Sequence, residues 1–305
     1  MKSRTLKHRR DNSYEYWIMC SIPLLLVFVF KYIPMFGAII AFKDYRFNKG
    51  IFGSEWVGLK NFEVFLTSDE FAKVTFNTLF LNTLFIVFGI ISAVAVAILL
   101  FNLKKRTSVK IYETILIIPH FMSWVIVSYM VYTLLSSNGL INSLLQMFGV
   151  DPVEWYALPE AWPPILVVTS IWKHVGMDSV IYYAALMGID SGLFEAADID
   201  GASKWQKIKA IILPELIPII SMLTILKIGN IFRADFGLFY NVPRNVGILY
   251  ETTDVVDTYI YRSMRNVRNL GVASAAGLLQ SVVGCLMVLI TNKIVKKISP
   301  ENTLF

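Results

Sequence analysis

The chain has 305 residues, of which 56% are hydrophobic and only 16% charged, whereas a soluble globular chain carries about 25% charge. That much apolar surface cannot be kept from water without large exposed patches, so the composition argues against a soluble fold and for the bilayer as solvent. The net charge of +6 comes from basic residues beside apolar runs. No basic stripe is interleaved with aromatics, so a nucleic-acid surface is excluded as its origin.

The chain opens on a basic segment, residues 1–15, carrying Lys2, Arg4, Lys7, Arg9 and Arg10. Six apolar runs follow, roughly 16–42, 79–103, 111–135, 163–187, 211–232 and 271–292. Each reaches the ~20 residues that span a hydrocarbon core. Each is predicted to be a helix, because backbone polar groups in lipid must be satisfied within the segment. In the first run Lys31 is placed to snorkel toward water, and Pro34 ends or bends the helix. Cys20 lies where a lipoprotein cysteine can lie, but Met19 precedes it and a long apolar run follows, so the run is predicted to be retained rather than cleaved. Cys20 and Cys285 both fall within spans and read as small buried hydrophobes rather than a disulfide.

The link 43–78 is amphipathic. Around Trp56-Val57-Gly58-Leu59-Lys60-Asn61-Phe62 it reads as a turn followed by a short interfacial helix, with Trp56 and Phe62 at headgroup level. The next link carries Lys104, Lys105, Arg106 and Lys110, and the link 136–162 has no Lys or Arg. The fourth link, 188–210, carries Lys204, Lys207 and Lys209, and the tail 293–305 carries Lys293, Lys296 and Lys297. The strongly basic segments all fall on one side of a six-span chain, so the positive-inside rule puts both termini in the cytoplasm. The links 43–78 and 233–270 each hold five basic residues among four or five acidic ones and bear weakly on orientation. The second of them is long, polar and punctuated by Pro243 and Gly247, as loops that contact a partner or substrate are.

The link 188–210 is the most informative stretch. Gly192 and Asp200-Gly201 are breakers, and the Ala-rich residues 193–199 between them read as one small helix. Ser203 is an N-cap for a second helix that carries Trp205, Ile208, Ile211 and Ile212 toward Pro214. The product is a helix–turn–helix at the inner face, feeding the fifth span. Ala196 and Ala197 leave a shallow surface that another protein can approach closely, and Glu195 gives that surface one charge.

Glu195-Ala196-Ala197, three residues, Gly201, nine residues and then Ile211-Ile212-Leu213-Pro214 resembles the EAA loop of binding-protein-dependent ABC importers in every fixed position and both spacers. Trp56–Phe62 and Asn82-Thr83 resemble motifs of the maltose-importer-like membrane subunits. Three further stretches resemble the LplB-type polysaccharide or oligosaccharide permeases, found largely in Gram-positive bacteria. They are Tyr32-Ile33-Pro34-Met35-Phe36-Gly37 with Ala41-Phe42-Lys43-Asp44-Tyr45, Ile118-Pro119-His120-Phe121-Met122-Ser123-Trp124, and Asp257-Thr258-Tyr259-Ile260-Tyr261-Arg262. The chain departs from that pattern at Arg233-Ala234-Asp235-Phe236, where a Gly-Phe pair is usual, and at Ser263, where Gly is common. Both departures bear on the substrate rather than on the mechanism.

The resemblance implies an all-α membrane protein of the type I ABC importer fold, with a six-helix permease domain over 16–292 and both termini in the cytoplasm of a multi-pass bacterial cell-membrane protein. It implies a second homologous permease subunit, two ATPase subunits and an extracellular solute-binding lipoprotein that delivers an oligosaccharide. No cofactor is expected on this chain. ATP and Mg would be bound by the partner ATPase, in keeping with the absence of a Gly-x4-Gly-Lys-Ser/Thr loop here. In the coupling loop Glu195 would pair with a basic residue of the ATPase, Ala196 and Ala197 would allow close packing, Gly201 would supply the bend, and Leu213 and Pro214 would complete the motif.

Polar residues inside spans are costly and default to functional candidates. His174 and Asp178 are one turn apart and can face each other, while Lys173 points elsewhere. Thr224, Lys227 and Asn230 form a three-spaced series. A saccharide path wants hydroxyl partners and aromatic faces, which suits Tyr129, Trp172, Asn230 and Gln280. Lys173, Asp178 and Lys227 add charge, and the two lysines would suit an acidic sugar. The competing reading is that these residues, and Tyr132, seal helix–helix contacts. An intramembrane protease lacks its motifs here, and a channel or secondary transporter would not need the EAA spacing.

Overall fold

A computed structural model describes residues 13–103, 105–265 and 270–298. The basic residues expected to lie in the cytoplasm at Lys2, Arg4, Lys7, Arg9, Arg10 and Lys104, and the end of the tail, lie outside them. Apart from one two-residue ribbon and the turns and loops that connect the elements, the described chain is helical. In chain order the main elements are α1 (Ser13–Val27), β1 (Lys43–Asp44), β2 (Glu55–Trp56), α2 (Lys60–Leu66), α3 (Asp69–Phe101), α4 (Arg106–Ile117), α5 (Trp124–Leu135), α6 (Leu140–Met147), α7 (Trp162–Leu186), α8 (Ser191–Ile199), α9 (Leu213–Gly229), α10 (Phe236–Asn241), α11 (Val256–Arg265) and α12 (Leu270–Ile298).

Among the described residues five helical stretches are long and apolar enough to cross a membrane: Tyr16–Phe42, Asp69–Phe101, Trp124–Met147, Lys204–Gly229 and Leu270–Lys296. The stretch expected as the fourth span forms α7, a helix of 25 residues that carries Lys173, His174 and Asp178. It packs along α3 more extensively than any other pair of elements does. One core cluster joins α3, α5 and α7 to α10 around Leu81, Val127, Trp162 and Phe239. A second joins α3, α7 and α9 around Ala97, Tyr182, Leu186 and Leu216. At Gly176 α7 approaches α4 closely, since a Cβ there would clash with the Leu116 carbonyl oxygen.

Several boundaries differ from the sequence reading, each for a local reason. Pro34 bends the first run without ending it: the helix widens into a π turn over Phe28–Tyr32, where the Ile33 N–H reaches the Phe28 carbonyl, and tightens into a 3-10 stretch over Phe36–Phe42. This relieves the clash between the proline ring and the preceding turn. The second helix starts at Asp69 rather than near 79. Ser68 caps it by accepting from Phe71 N, acidic Asp69 and Glu70 sit in its first turn, where the helix dipole favours them, and Val74, Asn77 and Thr78 are covered by protein. The third run, expected as one helix, is split by a 3-10 turn at Ile118–Phe121 containing Pro119, after which Ser123 recaps α5.

The link 43–78 is more ordered than a turn and a helix. Its ribbon pairs Lys43 with Trp56 and Asp44 with Glu55. The Asn61 amide donates to the carbonyls of Ala41 (2.9 Å) and Lys43 (3.0 Å), and the Phe42 ring stacks on Trp56 at 5.6 Å and meets Phe62 at 5.3 Å. Cys20 and Cys285 are free, as expected, but both are exposed on the outside of their helices rather than buried. The apolar faces that carry them are turned away from this chain's own core.

Candidate functional site

A cleft with a volume of 470 Å³ lies between α3, α7 and α9. Apolar walls from Phe85, Ile86, Leu223 and Leu226 alternate with Asn82, Ser170, His174, Asp178, Lys227 and Asn230. That mixture, apolar lining with a few convergent polar groups, is typical of ligand sites. Lys227 on α9 donates to the Asp178 carboxylate on α7 at 2.8 Å. The pair closes across the cleft, so two charges that are expensive singly in a membrane interior neutralise each other. The His174 ring lies beside the pair, with Nδ1 2.9 Å from the Ser170 carbonyl. The Asn82 amide ties α3 to the end of α9 by donating to the Ile231 (2.6 Å) and Arg233 (3.2 Å) carbonyls.

Of the residues singled out as substrate-path candidates, Asp178, Lys227 and Asn230 come together at this cleft. The other four do not. Lys173 is buried and points away, donating to the carbonyls of Pro119 (3.3 Å), His120 (2.7 Å) and Met122 (2.7 Å). It satisfies the acceptors exposed by the 3-10 break, with the Trp124 ring 5.2 Å from its ammonium. Gln280 on α12 donates to the Phe232 carbonyl (2.6 Å) and to Asp257 (2.9 Å), joining α12 to the turn after α9. Trp172 stands partly exposed on the far side of α7. Tyr129 is exposed on α5, with Tyr132 one turn on, and the Arg244 guanidinium lies 5.5 Å from the first ring and 4.2 Å from the second. His120 Nδ1 is buried without a hydrogen-bond partner among the described residues, and its ring meets His174 edge-on at 5.5 Å.

The link 188–214 forms the expected helix–turn–helix. Asp190 caps α8 by accepting from Gly192 N. The helix is closed by a Schellman arrangement in which Gly201 N–H reaches the Asp198 carbonyl (3.1 Å) and Ala202 N–H the Ala197 carbonyl (2.9 Å). Gly201 has φ +71°, a left-handed conformation that suits glycine. Ser203 and Gln206 then make a reciprocal capping box, and the chain passes through a π turn at Ile208–Ile212 into Leu213-Pro214 and α9. Lys207 pairs with Asp198 across the turn. Phe194 anchors α8 on Phe101 of α3. Glu195 and Ala196 are exposed, Ala197 is half-buried, and Ile199 and Trp205 project outward.

Residues 233–265 of the link 233–270 form a packed cap. Asp235, part of the departure from the family pattern, caps α10 by accepting from Gly237 N and also accepts the Trp124 indole N–H at 2.8 Å. Asp254 is buried and holds Thr258 (2.6 Å) and the Arg262 guanidinium (2.8 Å). Asp257 accepts from Ala234 N and Gln280, and burial pushes its carboxyl above the usual carboxylate range. Burial likewise pushes the Tyr156 hydroxyl up to about 12. Asp254 and Asn82 carry structural roles that sequence reasoning did not assign. Asp254 had only its polarity beside an apolar run as a signal, whereas Asn82 lay in the Asn82-Thr83 resemblance, which named no partner for it.

Residues 85–299 match the family model described as the binding-protein-dependent transport system inner membrane component. The chain is 34% identical over 94% of its length, and 90% of the relative's, to the polygalacturonan/rhamnogalacturonan transport system permease protein YteP of Bacillus subtilis. It is 33% identical to Protein LplB of the same organism, over 92% of this chain and 88% of that one. Among solved structures it is similar to a chain of a bacterial ABC transporter involved in the import of the acidic polysaccharide alginate, with a TM-score of 0.86 and 33% identity over 94% of this chain and 97% of that one. A second structure of the alginate transporter, in complex with an alginate pentasaccharide-bound periplasmic protein, matches with a TM-score of 0.85. Along most of its length, then, the chain belongs to the family of binding-protein-dependent ABC transporter membrane components.

Proposed function

We propose that this chain is the permease subunit of an ATP-driven importer for an oligosaccharide or polysaccharide fragment. Likeness over nearly the whole chain to permeases named for polygalacturonan, rhamnogalacturonan and alginate carries that reading. The solute arrives on an extracellular binding lipoprotein, and a second homologous permease completes the membrane path. Two ATPase chains, which bind ATP and Mg, drive alternating access, and this chain performs no chemistry.

In this reading α7 is the fourth of six spans. Its charge is tolerated because Lys173 is engaged by carbonyls and Asp178 by Lys227. Residues 1–15, 188–210 and 293–305 are cytoplasmic, and the permease domain covers 16–292. The exposed face of α8, with Glu195, Ala196 and Ala197, enters a cleft on the ATPase, and Gly201, Leu213 and Pro214 fix its attachment to α9. The α3–α7–α9 cleft lies on the solute path, where the Asp178–Lys227 pair and Asn230 offer hydrogen-bonding groups.

Reconstitution of the importer in proteoliposomes tests this. Uptake is expected to require the lipoprotein and a hydrolysis-competent ATPase, and Glu195→Ala is expected to impair uptake and ATPase co-purification while the subunit stays in the membrane. Uptake that continues with a hydrolysis-dead ATPase sinks the proposal in favour of a secondary transporter.

A further inference from the structure

The membrane interior of this chain offers little free positive charge to an anionic solute. Lys173 is held by three carbonyls and Lys227 by Asp178. Two cations that meet no carboxylate among the described residues, Arg244 and Arg265, sit instead on the link 233–270. Arg265, at the end of α11, meets no carboxylate among the described residues; its guanidinium is held by the Tyr261 hydroxyl at 2.8 Å. Arg244 likewise meets no carboxylate there and lies over the Tyr132 ring.

Around Arg265 the chain builds a pocket of 240 Å³ lined by Tyr240, Asn245, Tyr261, Arg262 and Arg265. Tyr240 and Tyr261 meet edge to face at 5.1 Å, and Phe236 backs both, at 5.1 and 4.9 Å, so the aromatic walls are fixed in place. The Asn245 side chain is held by the Tyr250 hydroxyl at 2.8 Å. Arg262 lends shape but little net charge, because Asp254 neutralises it.

The backbone at the rim is strained. Arg244 and Asn245 have φ of 56° and 54°, and they are the two non-glycine residues with positive φ among those described. An arginine in the left-handed region is strained, whereas asparagine tolerates it, and such strain clusters at ligand-binding sites. Here it turns Asn245 into the pocket and Arg244 toward the Tyr129 and Tyr132 rings.

We propose that the Tyr240–Asn245–Tyr261–Arg265 pocket is a subsite for one carboxylated sugar unit of the solute. The tyrosines supply ring faces and hydroxyls, Asn245 an amide, and Arg265 a guanidinium matched to a carboxylate. Its volume is below that of sites for drug-sized ligands, about 300–1,000 Å³, and suits a single saccharide unit. The inference rests on the saccharide-importer reading and narrows it to uronate-type substrates.

The test uses the complete importer in nanodiscs, without lipoprotein, titrated with trigalacturonate and, separately, with neutral maltotriose, and read by saturation-transfer NMR. Trigalacturonate is expected to bind the wild type. Arg265→Gln is expected to weaken it by about tenfold or more, as loss of a charge-assisted contact should. Arg265→Lys should retain part of the binding and Tyr261→Phe should lose less than Arg265→Gln, while any maltotriose signal stays the same. Unchanged trigalacturonate binding by Arg265→Gln overturns the subsite, as does an equal loss for both sugars. A wild type that binds no trigalacturonate yet imports it from the lipoprotein also overturns the subsite but leaves the importer reading intact. Failure to import any saccharide removes both. If Arg265→Gln abolishes docking of the saccharide-free lipoprotein with trigalacturonate binding intact, the pocket is a protein contact and the proposal falls.

Discussion

Gly201 offers the sharpest separation of backbone conformation from side-chain bulk. Its φ is +71°, and a Cβ built there meets no heavy atom within 4 Å. A substitution therefore adds no clash within this chain and acts only through the left-handed backbone, at roughly 1–2 kcal/mol for an ordinary L-residue. Asparagine visits that region at lower cost, and a β-branched residue is a genuine outlier there. Without the bend, the bonds from Gly201 N–H to Asp198 and from Ala202 N–H to Ala197 are lost together, and α8 changes direction relative to the Ser203 cap. A penalty of that size lowers the population of the correctly turned loop by a factor of about 5–30. Uptake by reconstituted importer and ATPase co-purification, normalised to subunit in the membrane, should rank glycine and Gly201→Asn above Gly201→Ala, and Gly201→Ala above Gly201→Val. If Gly201→Asn fails as completely as Gly201→Val, backbone conformation is not what the position provides. Full activity of Gly201→Val would falsify any role for the bend.

Two further outcomes follow from the cleft and the cap. Asp178→Asn and Lys227→Met should each lower uptake and thermal stability by leaving one charge unpaired, and the double variant should recover part of the loss. The coupling from the stability cycle is expected near 1 kcal/mol, within the range of about 0.5–3 for residues in contact; strictly additive effects would show that the pair does not act as a unit. At Asp257 the folded-state pKa is raised by burial, so the native state holds the proton more tightly than the unfolded chain. Its contribution to stability is most favourable below the ordinary carboxylate range and declines as pH rises through the raised value. Asp257→Asn should therefore flatten the pH dependence of thermal unfolding on the acidic side, and an unchanged profile would count against a buried, proton-binding Asp257.

Much of this fold was legible because bilayer physics leaves few options. Apolar runs of sufficient length had to be helices, and the rough positions of most could be read without tertiary information, although five rather than six of the described stretches are long and apolar enough to cross. The ends were harder to read, because helix length is set by capping and cover rather than hydropathy. The helix that begins at Asp69 is extended by Ser68 and by the protein over Val74 and Thr78, and neither shows in a hydropathy pattern. The helix–turn–helix at 191–212 was readable down to the Ser203 cap, because breakers and caps are local chemistry.

The path residues were only partly legible, since a polar residue within a span reveals its cost but not its partner. Lys173 and Lys227 look alike in sequence. One satisfies the carbonyls freed where Pro119 breaks the third run; the other crosses a cleft to a carboxylate. Only the packing of α7 against its neighbours separates the two cases.

That separation bears on how an anionic solute could cross such a protein. A free lysine in the cleft would attract a carboxylate and also hold it, and passage needs release as much as capture. Pairing Lys227 with Asp178 leaves the cleft nearly neutral, so the path can offer hydrogen bonds without a deep electrostatic well. On the proposed reading, the guanidinium groups of Arg244 and Arg265, which meet no carboxylate among the described residues, would draw an acidic chain to the mouth, where water screens the attraction and keeps it reversible. On that reading the charge distribution would divide attraction from passage. It follows that exchanging Asp178 for a neutral residue would make the cleft stickier for anions, so variants there should slow turnover more than they weaken capture.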